Sequence, residues 1–221
     1  MDTIIFDLDG TLLNTLEDLT DSVNHAMKVF GFPQHTIEEI RSFVGNGAPT
    51  LIARSIPRGK ENPSYEAVLA AFKEYYAAHC EDKTNPYAGV MELLAQLKEE
   101  GYRMAVVSNK FDGAVKRLCK KYFGDYLEAA IGESADVKRK PAPDTVYRAL
   151  HELSCDGSRA VYVGDSEVDI QTAENASLPC VSVTWGFRTA EQLKAAGAGE
   201  ELMIRTPQEL PPLLARLREE G

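Results

Sequence analysis

The sequence predicts an α/β protein in which a parallel sheet carries an inserted all-helical domain. Two observations predict the sheet. The apolar run "TIIF" lies near the start of the chain, and from about residue 86 short apolar runs alternate with helical patterns. The insertion is predicted because residues 15–84 show helical periodicity and no strand pattern. We therefore expect a core of residues 1–14 and 85–221 and a helical domain of residues 15–84.

Each element of the helical domain has its own signal. Apolar residues recur at steps of three and four from Leu16 to Phe30, and a glycine and a proline follow this first helix. The segment "TIEE" at residues 36–39 is a capping box that begins a second helix. Two further helical stretches cover about residues 48–55 and 64–80.

The core elements then follow in a βαβ series. The predicted strands after the first are "RMAVVSN", "EAAIGE", "RAVYVGD" and "PCVSVTW", and helical patterns separate them. Short continuous apolar runs are typical of parallel strands that are covered by helices on both faces. The pattern therefore favours a Rossmann-like core.

Composition excludes several classes of function. A net charge of −10, spread along the chain, disfavours nucleic-acid binding. The four cysteines are scattered and predict reduced thiols, and no apolar run is long enough to cross a membrane, so we expect a cytoplasmic protein without a membrane partner. The same acidity would repel an anionic substrate, so a phosphate site here needs local cations or a bound metal.

Polar residues follow four of the predicted strands. In an open α/β sheet the ligand crevice lies beyond the carboxyl ends of the strands. A residue of this kind on its own is usually a turn former, a helix cap or a surface lysine. Together, however, these residues converge on one crevice: Asp7 and Asp9, Ser108 and Asn109, Lys140, and Asp165 with Asp169.

Carboxylates in this arrangement predict a site for Mg²⁺, which prefers oxygen ligands. An EF-hand loop beginning at Asp7 is excluded, because Leu12 and Asp18 occupy positions that need glycine and glutamate. Asp7 and Asp9 are two residues apart, so an extended strand end directs both to one side. One carboxylate could then attack while the other transfers a proton.

The segments "DLDGTLLNT", "VVSN", "KRKPAPD" and "VGDSEVD" resemble, in this order, the four motifs of haloacid dehalogenase superfamily phosphatases. The resemblance implies that Asp7 attacks phosphorus to form an aspartyl-phosphate and that Asp9 is the acid and base. It also implies Mg²⁺ held by Asp7, the main-chain carbonyl of Asp9 and Asp165, with support from Asp169. The expected partner is a small phosphorylated metabolite, and the helical domain corresponds to a cap.

Shorter segments, "RSFVGNGAPTLIAR", "SNK" and "TWGFR", resemble the phosphoglycolate phosphatases within that superfamily. The resemblance implies 2-phosphoglycolate as substrate. The candidate substrate contacts are Thr11, Arg41, Gly45, Asn46, Gly47, Lys110 and Arg188. For Arg41 a position on the helix surface, and for the two glycines a simple helix break, are the competing interpretations.

Several alternatives remain open at the level of the sequence. Within the superfamily these are a pyrophosphatase, a nucleotide or sugar-phosphate phosphatase, and a phosphosugar mutase. Outside enzymes, a receiver-like phosphorylation module shares the acidic site, hydroxyl and lysine, but its phosphoacceptor lies on a later strand. A catalytically silent binding protein would not need all four groups. The chain is expected to be a monomer or a homodimer.

Overall fold

The computed structural model describes residues 1–220 and divides the chain into two compact units. The core unit contains Met1–Leu13 and the chain from Pro86 onward, and the helical unit is Asn14–Asn85. The chain passes from one to the other in two short strands, β2 (Leu13–Asn14) and β3 (Asn85–Pro86). The function of the helical unit as a cap stays a prediction.

The core unit is built on a six-stranded parallel sheet, which confirms the predicted α/β class. In spatial order its strands are β5 (Ala129–Glu133), β4 (Arg103–Phe111), β1 (Thr3–Phe6), β6 (Ala160–Gly164), β7 (Cys180–Val183) and β8 (Met203–Ile204). The sequence analysis did not find β8, because a strand of two residues carries no apolar run of its own.

Helices connect the strands of the core, and one further helix follows the last strand. They are α5 (Val90–Glu99), α6 (Asp112–Phe123), α7 (Asp144–Glu152), α8 (Glu167–Asn175), α9 (Ala190–Ala195) and α10 (Leu210–Glu220). The last two extend the series beyond the elements that the sequence identified. Within residues 1–220, short 3₁₀ turns lie at Gly59–Glu61, Gly157–Arg159, Glu200–Leu202 and Pro207–Glu209, the first of them in the helical unit.

Both faces of the sheet are buried. Ile5 and Val107 lie in one apolar cluster with Val146 and Leu150 of α7. Successive strand residues point to opposite faces, and Ile4, the neighbour of Ile5, is also completely buried. Burial of each such side chain stabilises the fold by about 1.5–3 kcal/mol.

The register of the sheet aligns the ends of its central strands. Phe6, the last residue of β1, pairs with Val106 of β4 on one side and with Val163 of β6 on the other. Residues that follow these three positions therefore emerge at the same edge. This edge carries the acidic strand ends that the sequence singled out.

The helical unit consists of α1 (Leu16–Phe30), α2 (Ile37–Phe43), α3 (Gly47–Ser55) and α4 (Tyr65–His79). The predicted capping box is present at the start of α2, where Thr36 and Glu39 bond to each other's main-chain N–H groups. Among the described residues of the whole chain, no helix combines the length and the apolar character that crossing a membrane requires.

Candidate active site

The turn after β1 places two carboxylates at the edge of the sheet. The Asp7 amide donates to the Val163 carbonyl at 2.8 Å, which prolongs the pairing of β1 with β6 by one residue. Gly10 then turns the chain with a φ of 94°, a conformation that side chains disfavour. A Cβ at Gly10 would lie 2.3 Å from Asp165 Oδ2. Only glycine lets this turn approach Asp165 so closely.

The buried Asp7 carboxylate is held by a buried lysine. Lys140 Nζ donates to Asp7 Oδ1 at 2.7 Å, to Asp169 Oδ1 at 2.7 Å and to Tyr162 Oη at 3.0 Å. A lysine ammonium has three donors, so these acceptors match all of them. Asn109 holds the loop from which Lys140 extends, since its Nδ2 donates to the Lys140 carbonyl at 3.0 Å. Lys140, predicted as a site residue, therefore bonds directly to Asp7, the predicted nucleophile.

Charge in this cluster is not balanced. Burial raises the pKa of Asp7 to about 7, and repulsion by Asp169 adds to this effect while Lys140 opposes it. Burial also raises the pKa of Asp165 well above its usual range, with further repulsion from Asp169 and Asp7. For Lys140, burial lowers the pKa, but attraction to Asp169 and Asp7 outweighs burial and the net shift is upward. One ammonium thus faces more than one buried carboxylate.

A metal ion fits this donor set. One carboxylate oxygen from each of Asp7, Asp165 and Asp169 lies within 4.8 Å of the others, and all three residues are buried. Mg²⁺ binds oxygen at about 2.0–2.1 Å, so oxygens on opposite sides of one ion are about 4 Å apart. A bound cation would also supply the positive charge that the cluster lacks.

Asp169 is held more firmly than the other carboxylates. Its Oδ1 accepts from Lys140 and, at 2.9 Å, from Tyr162 Oη. Its Oδ2 accepts from the Ser166 amide at 3.1 Å, as part of a capping box at the start of α8, and from Ser166 Oγ at 2.6 Å. Support of a metal site by Asp169 stays a prediction.

Asp9 has different surroundings from Asp7. Its side chain is 19% exposed, and Oδ1 lies 2.5 Å from Lys110 Nζ. Ser108 Oγ donates to Oδ2 of Asp9 at 3.4 Å and accepts from the Lys110 amide at 3.2 Å. The end of β4 therefore supports Asp9, whereas Lys140 supports Asp7. The sequence did not indicate that Lys110 pairs with Asp9.

The loop after β7 is a part of the site that the sequence analysis largely missed. The Phe187 amide donates to Asp165 Oδ2 at 2.6 Å, and Thr11 Oγ1 donates to Asp165 Oδ1 at 3.4 Å. Trp185 Nε1 donates to the Thr11 carbonyl at 3.0 Å. Since "PCVSVTW" was predicted as a strand, the rule that ligands lie beyond strand ends could have identified this loop.

Of the remaining substrate candidates, Arg188 lies in the core unit and is paired with Glu167. The others belong to the helical unit. Arg41 is exposed on α2. Gly45 and Gly47 have φ angles of 114° and 76°, and Asn46 between them is the N-cap of α3. The left-handed conformation by itself requires glycine at both positions to join α2 to α3. Contact of these residues with a substrate stays a prediction.

Comparison with known proteins agrees with this geometry. Residues 4–183 match the family model described as haloacid dehalogenase-like hydrolase. A phosphoglycolate phosphatase of Rhodobacter capsulatus is 36% identical over 189 residues, which are 84% of this chain and 85% of that protein. The plasmid phosphoglycolate phosphatase of Cupriavidus necator is 30% identical over 97% of this chain and 94% of that one.

A solved structure extends the similarity to the whole fold. The crystal structure of a proposed phosphoglycolate phosphatase from Lactobacillus delbrueckii subsp. bulgaricus is 34% identical, with a TM-score of 0.91 over 96% of this chain and 98% of that chain. The predicted superfamily is confirmed by these findings, and with it the interpretation as a phosphatase-type enzyme. This chain belongs to the haloacid dehalogenase-like hydrolase family.

Proposed function

We propose that this chain is a Mg²⁺-dependent phosphatase that hydrolyses a small phosphomonoester, 2-phosphoglycolate, through an aspartyl-phosphate on Asp7. The observation that carries the proposal is the contrast between two carboxylates at one strand end. Asp7 is buried against Lys140 and within one oxygen cluster with Asp165 and Asp169. Asp9 lies outside that cluster beside Ser108 and Lys110. This contrast supports attack by Asp7 and proton transfer by Asp9.

The reaction runs in two steps. An Asp7 carboxylate oxygen attacks phosphorus, the bond from phosphorus to the ester oxygen breaks, and Asp9 gives its proton to the leaving alkoxide. Asp9 then takes a proton from water, the water oxygen attacks phosphorus, and the bond to Asp7 breaks to release phosphate. Ser108 donates to a phosphoryl oxygen, and Lys140 holds Asp7 in position for the attack.

Asp7 and Asp165 would supply the side-chain ligands of the metal site, together with the main-chain carbonyl of Asp9, and Asp169 would support the site. Mg²⁺ bound there offsets the negative charge of the phosphoryl group and of the carboxylates. The raised pKa values of Asp7 and Asp165 support this assignment, because buried carboxylates that repel one another are stabilised by a cation.

The choice of 2-phosphoglycolate is supported by the names of the relatives and by the short motifs. Its carboxylate requires donors beyond those that bind phosphate. Arg41 and the segment from Gly45 to Gly47 in the helical unit are the proposed donors, with Lys110 in the core. The pairing of Lys110 with Asp9 means that Lys110 would contact the substrate near the proton donor.

The proposal is tested first with p-nitrophenyl phosphate, in EDTA-treated protein with and without added Mg²⁺. We expect many turnovers with Mg²⁺ and a return to background with EDTA. A receiver-like module would instead release at most about one equivalent of product per chain. Acid quench during turnover of a ³²P-labelled substrate should trap phosphate on the wild type but not on Asp7→Asn. Absence of an acid-stable label at all times would refute the covalent intermediate.

The substrate is tested separately by kcat/KM. Phosphoglycolate, pyrophosphate, a nucleoside monophosphate and a hexose phosphate are compared on one preparation. We expect phosphoglycolate to have the highest value. A value a hundredfold below that of another substrate would reject phosphoglycolate while the phosphatase assignment stands.

A further inference from the structure

The loop between β7 and α9 contacts the metal-site carboxylate Asp165 from two directions. The Phe187 amide bonds to Asp165 Oδ2. Gly186 lies so close that a Cβ there would be 2.4 Å from Asp165 Cβ and 2.4 Å from the Gly10 carbonyl oxygen. Trp185 bonds the loop to Thr11 in the turn after β1. The position of Asp165 therefore depends on the position of this loop.

Arg188 fixes the end of the same loop. Its Nε donates to Glu167 Oε2 at 2.8 Å and its Nη2 donates to Glu167 Oε1 at 3.1 Å, so both carboxylate oxygens are bound. Arg188 is buried, with 9% of its surface exposed. A two-point pair of this kind fixes orientation as well as distance.

The pair joins two segments that meet at the metal site. Glu167 is the first residue of α8 and lies between Asp165 and Asp169 in the sequence. Arg188 directly follows Phe187, whose amide binds Asp165. The ion pair thus completes a closed ring of contacts. The chain links Asp165 to Glu167 and Phe187 to Arg188, and hydrogen bonds link Phe187 to Asp165 and Arg188 to Glu167.

We propose that the Arg188–Glu167 pair is a clasp that positions Asp165 and so sets the strength of Mg²⁺ binding. The inference rests on the proposed Mg²⁺ site and gives Arg188 a role other than substrate contact. Arg188 is a positioning residue, since it acts through Glu167 and the Phe187 amide. Loss of groups that orient metal ligands typically weakens metal binding by about 10–100-fold.

Direct Mn²⁺ binding, followed by the EPR signal of free Mn²⁺, tests the clasp without turnover. The variants are Arg188→Met, Arg188→Lys and Glu167→Gln. Arg148→Met is the matched control, because Arg148 forms an exposed pair with Glu152 on α7. We expect Arg188→Met and Glu167→Gln to raise the Kd by about tenfold and the control to leave it unchanged.

Arg188→Lys retains the charge but not the two-point geometry, so an intermediate increase in Kd is expected. If circular dichroism shows that Arg188→Met does not fold, Arg188→Lys still allows the proposal to be tested. Values of Kd within twofold of the wild type for Arg188→Lys and Glu167→Gln, in folded protein, would overturn the clasp.

Steady-state kinetics separate the clasp from a substrate contact. With saturating Mg²⁺, Arg188→Met should change the KM of phosphoglycolate and of ethyl phosphate, which lacks the carboxylate, by the same factor. An increase confined to phosphoglycolate, with Mn²⁺ affinity unchanged, would return Arg188 to substrate binding. Because Mn²⁺ binding needs no reaction, a wild type without phosphatase activity would refute the proposed function and leave the clasp to be judged by its Kd values.

Discussion

Two buried aspartates, one in each unit, show how surroundings decide what a carboxylate does. Asp18 in the helical unit accepts from the Lys83 amide at 3.0 Å, the Thr84 amide at 2.9 Å and Thr84 Oγ1 at 2.8 Å. Asp7 in the core accepts from Lys140 and shares its surroundings with Asp165 and Asp169. Asp18 is surrounded by donors, whereas Asp7 is surrounded by further carboxylates.

The difference predicts a structural role for Asp18 and a role in the reaction for Asp7. The donors to Asp18 come from residues 83 and 84, so the carboxylate ties the first turn of α1 to the end of the helical unit and is satisfied there. Burial raises the pKa of Asp7, and repulsion by Asp169 adds to this effect, so the site favours binding of a cation. The predictions below test this distinction.

The largest effect is expected for Asp7→Asn. An amide has no anionic oxygen with which to attack phosphorus, so multiple turnover should fall below about 10⁻⁴ of the wild type, as for other lost nucleophiles. Since one of several mutually repelling carboxylates becomes neutral, the midpoint of thermal unfolding of the metal-free protein should not fall. Phosphate release and thermal denaturation measure the two effects. Sustained hydrolysis by the purified variant would contradict the role of Asp7.

Lys140→Ala should follow, with a loss of about 10²-fold in kcat, as for the removal of one group that stabilises the transition state. The substitution also leaves Asp7 and Asp169 without their shared cation. Lys138→Ala is the control, because Lys138 is an exposed lysine of the same loop. Equal kcat values for Lys140→Ala and Lys138→Ala would show that Lys140 does not contribute to the reaction.

Asp18→Asn should reverse the pattern of Asp7→Asn. The amide group places a donor where Asp18 now accepts, so one buried donor loses its partner and the free energy of unfolding should fall by about 1–3 kcal/mol. Turnover at 25 °C should stay within a few-fold of the wild type. Urea unfolding followed by circular dichroism gives the first value and phosphate release the second. Unchanged stability would show that burial alone does not make Asp18 structural.

The strand ends were predictable because parallel strands in register deliver the residues that follow them to one edge. For this reason the sequence could identify Asp7, Ser108 and Asp165 as residues of one edge of the sheet. Strand β8 could not be identified, because two residues are too few to show an alternating apolar pattern. Only its pairing with β7 defines it as a strand.

Contacts between residues far apart in the sequence were the second feature that could not be predicted. The contact of Lys110 with Asp9 joins residues 101 positions apart, and that of Arg188 with Glu167 joins residues 21 positions apart. Each cation has other carboxylates near it in the sequence, and only the fold selects among them. The sequence therefore predicted the residue types at the site better than their pairings.

The smallest effect is expected for Tyr162→Phe. This substitution tests how much the neutral Tyr162 hydroxyl contributes to the position of Lys140. The Tyr162 hydroxyl accepts from Lys140 at 3.0 Å and donates to Asp169 at 2.9 Å, and the residue is completely buried. Phenylalanine keeps the ring and its packing. The loss of one buried hydrogen-bonding group is worth about 0.5–1.5 kcal/mol, so kcat should fall by between about twofold and tenfold.

The KM of the substrate should not change, because Tyr162 acts on Lys140 rather than on the phosphoryl group. Tyr147→Phe is the matched control, since the Tyr147 hydroxyl bonds to the Asn175 carbonyl at 3.4 Å on an exposed side chain. If Tyr162→Phe lowers the thermal midpoint but leaves kcat at the level of Tyr147→Phe, the two carboxylates alone hold Lys140. The tyrosine would then belong with Asp18 among the structural groups.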